Sequence, residues 1–90
     1  MNTEDIIKNA TLIDVREKLE LLLEGKIAKA HHIPMQKVPA QLEEIKQMPK
    51  PIVVFCKAGG RAEKIVEFLK ENGISEVYNG GGYRDVKAIL

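Results

Sequence analysis

The sequence predicts an α/β fold, a small parallel sheet of roughly four to five strands with helices on both faces. Three observations carry this. Short apolar runs alternate with amphipathic stretches along the whole chain. The run Ile52-Val53-Val54-Phe55 is unbroken and lies between Pro51 and a glycine-containing loop, so it reads as a central strand covered on both sides. The segments are joined by short connections marked by Gly or Pro, which suits strand–helix–strand units.

Taken in order, Asp5 to Lys8 reads as a short leading helix and Thr11 to Val15 as a β-branched, apolar strand. Arg16 to Glu24 reads as a helix, with Leu19, Leu22 and Leu23 at i, i+3 and i+4 as its inward stripe. That leaves Leu21 for the surface, and Gly25 stands where a glycine ends a helix. Ala30 to Ile33 is a weak strand ending at Pro34. Pro39 suits the first turn of a helix with Leu42, Ile45 and Met48 inward, and Pro49 and Pro51 forbid its continuation. After the central strand, a helix from Arg61 or Ala62 to Asn72 turns Ile65, Val66, Phe68 and Leu69 inward and stops at Gly73. Glu76 to Tyr78 is a last short strand, Gly80-Gly81-Gly82 a sharp loop, and Tyr83 to Leu90 a closing helix.

Ninety residues make a single domain, 1–90, with 44% hydrophobic residues to fill one core. Fourteen Lys and Arg against 13 Asp and Glu leave a net charge of +1, without the basic excess that a nucleic-acid footprint needs. No apolar run reaches the ~18 residues of a membrane span. The start, Met1-Asn2-Thr3-Glu4-Asp5, is acidic with no apolar stretch behind it, so no signal peptide is expected. The single cysteine, Cys56, excludes an internal disulfide and a Cys-rich zinc site. A lone thiol suits a reducing, cytoplasmic setting.

Cys56 directly follows the central strand, and open α/β sheets form their sites beyond the carboxyl ends of their strands. The segment Cys56-Lys57-Ala58-Gly59-Gly60-Arg61 leads into a helix. The glycines permit a tight curl, which turns successive N–H groups toward one point. The helix start adds unpaired N–H groups and the positive end of its dipole. Lys57 and Arg61 add two cations. Each of these favours thiolate over thiol. A cysteine after a core strand is often only a small hydrophobe, but these neighbours tip the balance toward a nucleophile with an anion pocket.

This loop resembles the active-site loop of the rhodanese (sulfurtransferase) family, Cys-x-x-Gly-x-Arg at a helix start. Thr11 to Glu17 is similar to that family's first signature, an apolar strand ending Asp-Val-Arg, here Asp14-Val15-Arg16. Gly25 to Pro34 aligns with the second, usually Gly-His-Ile-x-Gly-Ala-x-x-Ile-Pro, with Lys26 and Lys29 replacing His and Gly. Gly73-Ile74 and Gly81-Gly82 match the closing signatures. Ala58 and Ala62 stand where serines are common, which removes hydroxyl donors beside the sulfur, and Val86 stands where Trp is frequent.

The resemblance implies a rhodanese-like fold and double displacement. The Cys56 thiolate takes the outer sulfur of thiosulfate or another sulfane donor, and cyanide, a small thiol or a protein cysteine then removes it. The loop of Lys57, Ala58, Gly59, Gly60 and Arg61 would hold the anionic sulfur, with Lys57 drawing anionic donors and Arg61 keeping the loop in shape. No cofactor is implied. A sulfur-relay module with little thiosulfate activity is the alternative. A phosphatase or arsenate reductase is a lesser one, because the related loops of those enzymes are one residue longer.

Asp14 and Arg16 read as structural support, Asp14 bonding nearby backbone and Arg16 pairing with a carboxylate. His31 and His32 are neighbours on a strand and face opposite ways, so no metal site is expected. Gly80 to Gly82 lacks the spacing of a dinucleotide fingerprint or a P-loop. It reads as a turn passing close to the site, with Tyr83 and Arg84 at the pocket mouth.

Overall fold

The computed structural model describes residues 2–90; Met1, part of the acidic start, lies outside them. Four strands form one parallel sheet in the order β2-β1-β3-β4, with β1 Thr11–Asp14, β2 His31–His32, β3 Ile52–Cys56 and β4 Val77–Gly82. The chain crosses to one side of β1 to make β2, then returns to the other side to make β3. The carboxyl ends of β1 and β3 therefore meet at the point where the strand order reverses. Val15 N–H donates to the Phe55 carbonyl there (3.0 Å).

All five residues of β3 are buried, as an unbroken apolar run demands. Its side chains alternate between two cores. Ile52, Val54 and Cys56 join Ile13 and Val15 against α3 (Leu42–Lys46) and α4 (Gly60–Glu71), which contribute Ile45, Ala62, Ile65, Val66 and Leu69. Val53 and Phe55 join Leu12 against α1 (Thr3–Asn9) and α5 (Tyr83–Ile89), through Ile7, Tyr83 and Val86. The helices thus cover both faces, and the odd–even phase of β3 aims Cys56 toward the α4 side.

Several elements differ from the sequence reading. Pro39 opens a 3₁₀ turn, Pro39–Gln41, which follows another at Met35–Lys37, and α3 proper starts only at Leu42. The larger correction concerns α2 (Lys18–Glu24), whose expected inward stripe lies outside: Leu19, Leu22 and Leu23 are 62, 72 and 76% exposed. Periodicity defines a helix face but not its direction. Here the opposite face, with Glu20, Leu21 and Glu24, turns inward because two arginines await its carboxylates.

The glycine run is also not a loop. Gly80 to Gly82 belong to β4, paired Phe55↔Gly81 and Cys56↔Gly82, after a bulge between Val54 and Phe55. Gly81 has φ +88°, which suits glycine. A Cβ at position 80 would lie 2.7 Å from Val53 Cγ1, and one at 82 would collide with the Lys57 carbonyl. Gly82 thus lets β4 pass against the Cys56 loop, while Gly80 leaves room for Val53 and Val86 of the neighbouring core.

Candidate active site

Cys56 closes β3 and is 1% exposed. Its Sγ accepts a hydrogen bond from the Gly59 N–H at 3.0 Å. Burial raises its thiol pKa, but the main-chain N–H groups of Ala62, Ala58, Gly59 and Arg61 more than offset this, so the net shift is downward. The sulfur thus sits in a cup of amides at the N-terminus of a 12-residue helix.

The loop residues divide by task. Gly59 caps α4 in the left-handed region, φ +99°, and makes the curl. Gly60 is already helical and a Cβ there would meet nothing within 4 Å; the paired glycines are therefore not equivalent, and only the first is needed for the turn. Ala58 is exposed. Lys57 is 65% exposed, with Nζ 3.5 Å from Glu24. Arg61 clasps Glu20 through two hydrogen bonds of 2.7 and 2.8 Å. That fork raises the Arg61 pKa and ties the loop to α2.

Asp14 and Arg16 form a second, buried unit beside the loop. Arg16 is fully buried and Asp14 2% exposed. Asp14 Oδ2 accepts from Arg16 Nη2 at 2.7 Å, and Oδ1 accepts from the Arg16 main-chain N–H at 3.0 Å. Arg16 also donates to the Gly25 carbonyl (2.9 Å) and stacks on the Tyr83 ring, 4.1 Å from its centroid. Its Nη1 has no hydrogen-bond partner among the described residues, the Glu24 carboxylate lying 3.8 Å away. Glu24 therefore stands between a buried cation and the exposed Lys57.

A cleft of about 330 Å³ opens beside this arrangement, lined by Glu24, Lys57, Ala58, Tyr83 and Arg84. Tyr83 and Arg84 thus line the cleft by the loop. His31 and His32 are both exposed, and His32 Nε2 donates to the Arg16 carbonyl at 2.7 Å. Among the described residues no helix is long and apolar enough to cross a membrane.

A model of the rhodanese-like domain matches residues 2–88. The chain belongs to the rhodanese-like family. Among relatives, it is 32% identical over 82 residues to thiosulfate sulfurtransferase GlpE of Coxiella burnetii, covering 90% of this chain and 75% of that protein. It is 35% identical over 78 residues to the uncharacterized protein YqhL of Bacillus subtilis, covering 86% of this chain but only 60% of YqhL. Among solved structures, a rhodanese-related protein from Thermoplasma volcanium superposes with a TM-score of 0.76 at 33% identity, over 98% of this chain and 89% of that one. Sulfurtransferase-family membership follows for this rhodanese-like chain.

Sequence reasoning missed three polar residues around the rhodanese-like loop: Glu20, Glu24 and Asn79. Two carboxylates four apart on the helix after Asp-Val-Arg were the available signal for the first pair. Asn79, just before three glycines, was readable only as a turn residue.

The Glu20–Arg61 fork carries a pH signature. Hydrogen bonding to Arg61 lowers the Glu20 carboxyl from 4.5 to about 2. A carboxyl depressed on folding stabilises the fold above its unfolded value and loses that contribution as pH falls through its folded one. The urea midpoint is therefore expected to fall between pH 4.5 and about 2 more steeply in wild type than in Glu20→Gln. Parallel curves for the two proteins would show that the fork contributes nothing to stability.

Proposed function

We propose that this chain is a sulfurtransferase that carries one sulfane sulfur as a persulfide on Cys56. The observation that supports it most is the Gly59 N–H donated to a buried Sγ at a helix N-terminus. Such a cup stabilises an anionic sulfur without a neighbouring histidine as base. In the first step the Cys56 thiolate attacks the outer sulfur of thiosulfate. A new S–S bond forms as the S–S bond of thiosulfate breaks, and sulfite leaves with the bonding pair. In the second, cyanide, a small thiol or a protein cysteine attacks the terminal sulfur and the Cys56 thiolate is regenerated. No electrons are gained or lost overall, so no cofactor is required. Splitting one transfer into two displacements is the gain from covalent catalysis.

The loop residues Lys57 to Arg61 serve this reading as the holder of the anionic sulfur, with Asp14 and Arg16 supporting the adjoining strand end. The six-residue span from Cys56 to Arg61 favours sulfur over a larger tetrahedral oxyanion. A reducing, cytoplasmic compartment suits a thiol that must be regenerated at each turnover. A relay role, with sulfur delivered by a partner protein, is the second reading. The Glu24 carboxylate beside Lys57 favours it, because it offsets the charge that would draw a dianion such as thiosulfate.

Intact-mass measurement after incubation with thiosulfate tests the proposal. Wild type is expected to gain one sulfur atom, lost again on adding cyanide, and Cys56→Ser to gain none. No adduct from thiosulfate or from a small persulfide donor, or an equal adduct on the variant, would sink it. Slow loading from thiosulfate with fast loading from the persulfide donor selects the relay.

A further inference from the structure

We propose that Asn79 is a positioning residue for Cys56, gripping the Gly59 carbonyl from the neighbouring strand so that the amide cup keeps its shape. The inference rests on Cys56 being the reacting thiol. Its ground is the bulge in β4, where Gly80 is the extra residue between the pairs Val54↔Asn79 and Phe55↔Gly81. Asn79 Oδ1 accepts from the Gly81 N–H at 2.8 Å. This fixes the side-chain amide with its nitrogen facing the loop. Nδ2 then donates to the Gly59 carbonyl at 3.0 Å and to Glu63 Oε1 at 3.2 Å.

Gly59 is the residue whose orientation matters most to the sulfur. Its N–H donates to Cys56 Sγ, and its carbonyl accepts both the Glu63 N–H (2.9 Å) and the Asn79 amide. A glycine in the left-handed region has wide torsional freedom. The helix bond alone leaves the capping turn free to rock about the start of α4. A second bond from β4, a strand that is itself paired to β3 through Cys56↔Gly82, ties the turn to the element that carries the sulfur. Only a side chain with both an acceptor and a donor on one planar group makes both contacts. Asn79 is exposed, so its removal opens no cavity, and its purpose is not packing.

Two variants test this, Asn79→Ser and Asn79→Ala. Serine keeps an oxygen that can accept the Gly81 N–H but is too short to reach Gly59; alanine loses both contacts. The primary readout is the iodoacetamide alkylation rate of Cys56 against pH. It is accompanied by kcat and KM for thiosulfate-to-cyanide transfer and by the urea midpoint. Both variants are expected to raise the alkylation midpoint by about half a pH unit or more. They are also expected to lower kcat about threefold with KM little changed, because the amide cup acts on the anionic sulfur. An unchanged alkylation midpoint overturns the proposal, also when the urea midpoint drops, since Asn79 would then brace β4 and nothing more. If Asn79→Ala does not fold, Asn79→Ser decides. Alkylation requires no sulfur donor, so a wild type that takes no sulfur sinks the proposed function and leaves this test standing.

Discussion

Under the proposed function, Cys56→Ser is expected to abolish thiocyanate formation from thiosulfate and cyanide, a loss on the order of 10⁴-fold or more, as for enzymes stripped of their nucleophile. The serine hydroxyl occupies the same position beneath the Gly59 N–H, so its oxygen has a donor waiting and the fold is expected to survive. Far-UV circular dichroism and urea unfolding check that point. Serine cannot replace the thiolate, because among the described residues no side-chain base is hydrogen-bonded at this position and its own hydroxyl does not ionise near neutrality. Wild type is expected to show a rate that rises with pH as the thiol ionises and levels off below the ~8.5 of a free cysteine. That direction follows from amides that outweigh burial. Turnover by the serine variant at the wild-type rate would remove Cys56 from the chemistry, and an alkylation midpoint near ~8.5 would mean that the amides do not act on the sulfur.

Arg16→Ala is expected to cost about 3–5 kcal/mol of folding stability, the range for breaking one side of a buried ion pair. That is a large part of the ~5–15 kcal/mol available to an ordinary domain. Arg16 is fully buried, and its removal leaves the Asp14 carboxylate, 2% exposed, with the main-chain N–H of residue 16 as its remaining partner. The Tyr83 ring would lose the guanidinium stacked on it, and the Gly25 carbonyl its donor. Urea unfolding at neutral pH measures the loss. The double variant Asp14→Asn, Arg16→Met is expected to recover part of it, because most of the cost is the stranded charge rather than the value of the pair. A loss under about 1 kcal/mol, the worth of a surface pair, would show that water reaches Asp14 in the folded protein.

The parts of this molecule that were legible in advance are those specified by neighbours in the chain. The β-branched run Ile52–Phe55 specifies a buried strand, and the spacing of Ile65, Val66 and Leu69 specifies the inward face of α4. Gly59 announces the turn that places Cys56 at a helix start. The illegible parts depend on residues far apart. Glu20 meets Arg61 across 41 positions and Asn79 meets Gly59 across 20, so even where the spacing of Glu20 and Glu24 is visible, nothing local names the partner. The leucines of α2 show how this misleads. Their spacing satisfies a buried stripe, yet the helix turns them outward so that Glu20 and Glu24 reach the arginines.

By itself, then, the amino-acid order determined the parallel α/β architecture and the loop that carries the thiol, because periodicity, glycine conformation and helix starts act within a few residues; the family was legible only as a resemblance of motifs. Tertiary structure alone decided that the glycine run is a bulged strand pressed against that loop and that Asn79 grips it from the side. It also decided that each loop cation lies against a carboxylate of α2. Those outcomes depend on which surfaces the sheet brings together, and the charges and close approaches involved exist only once the chain has folded.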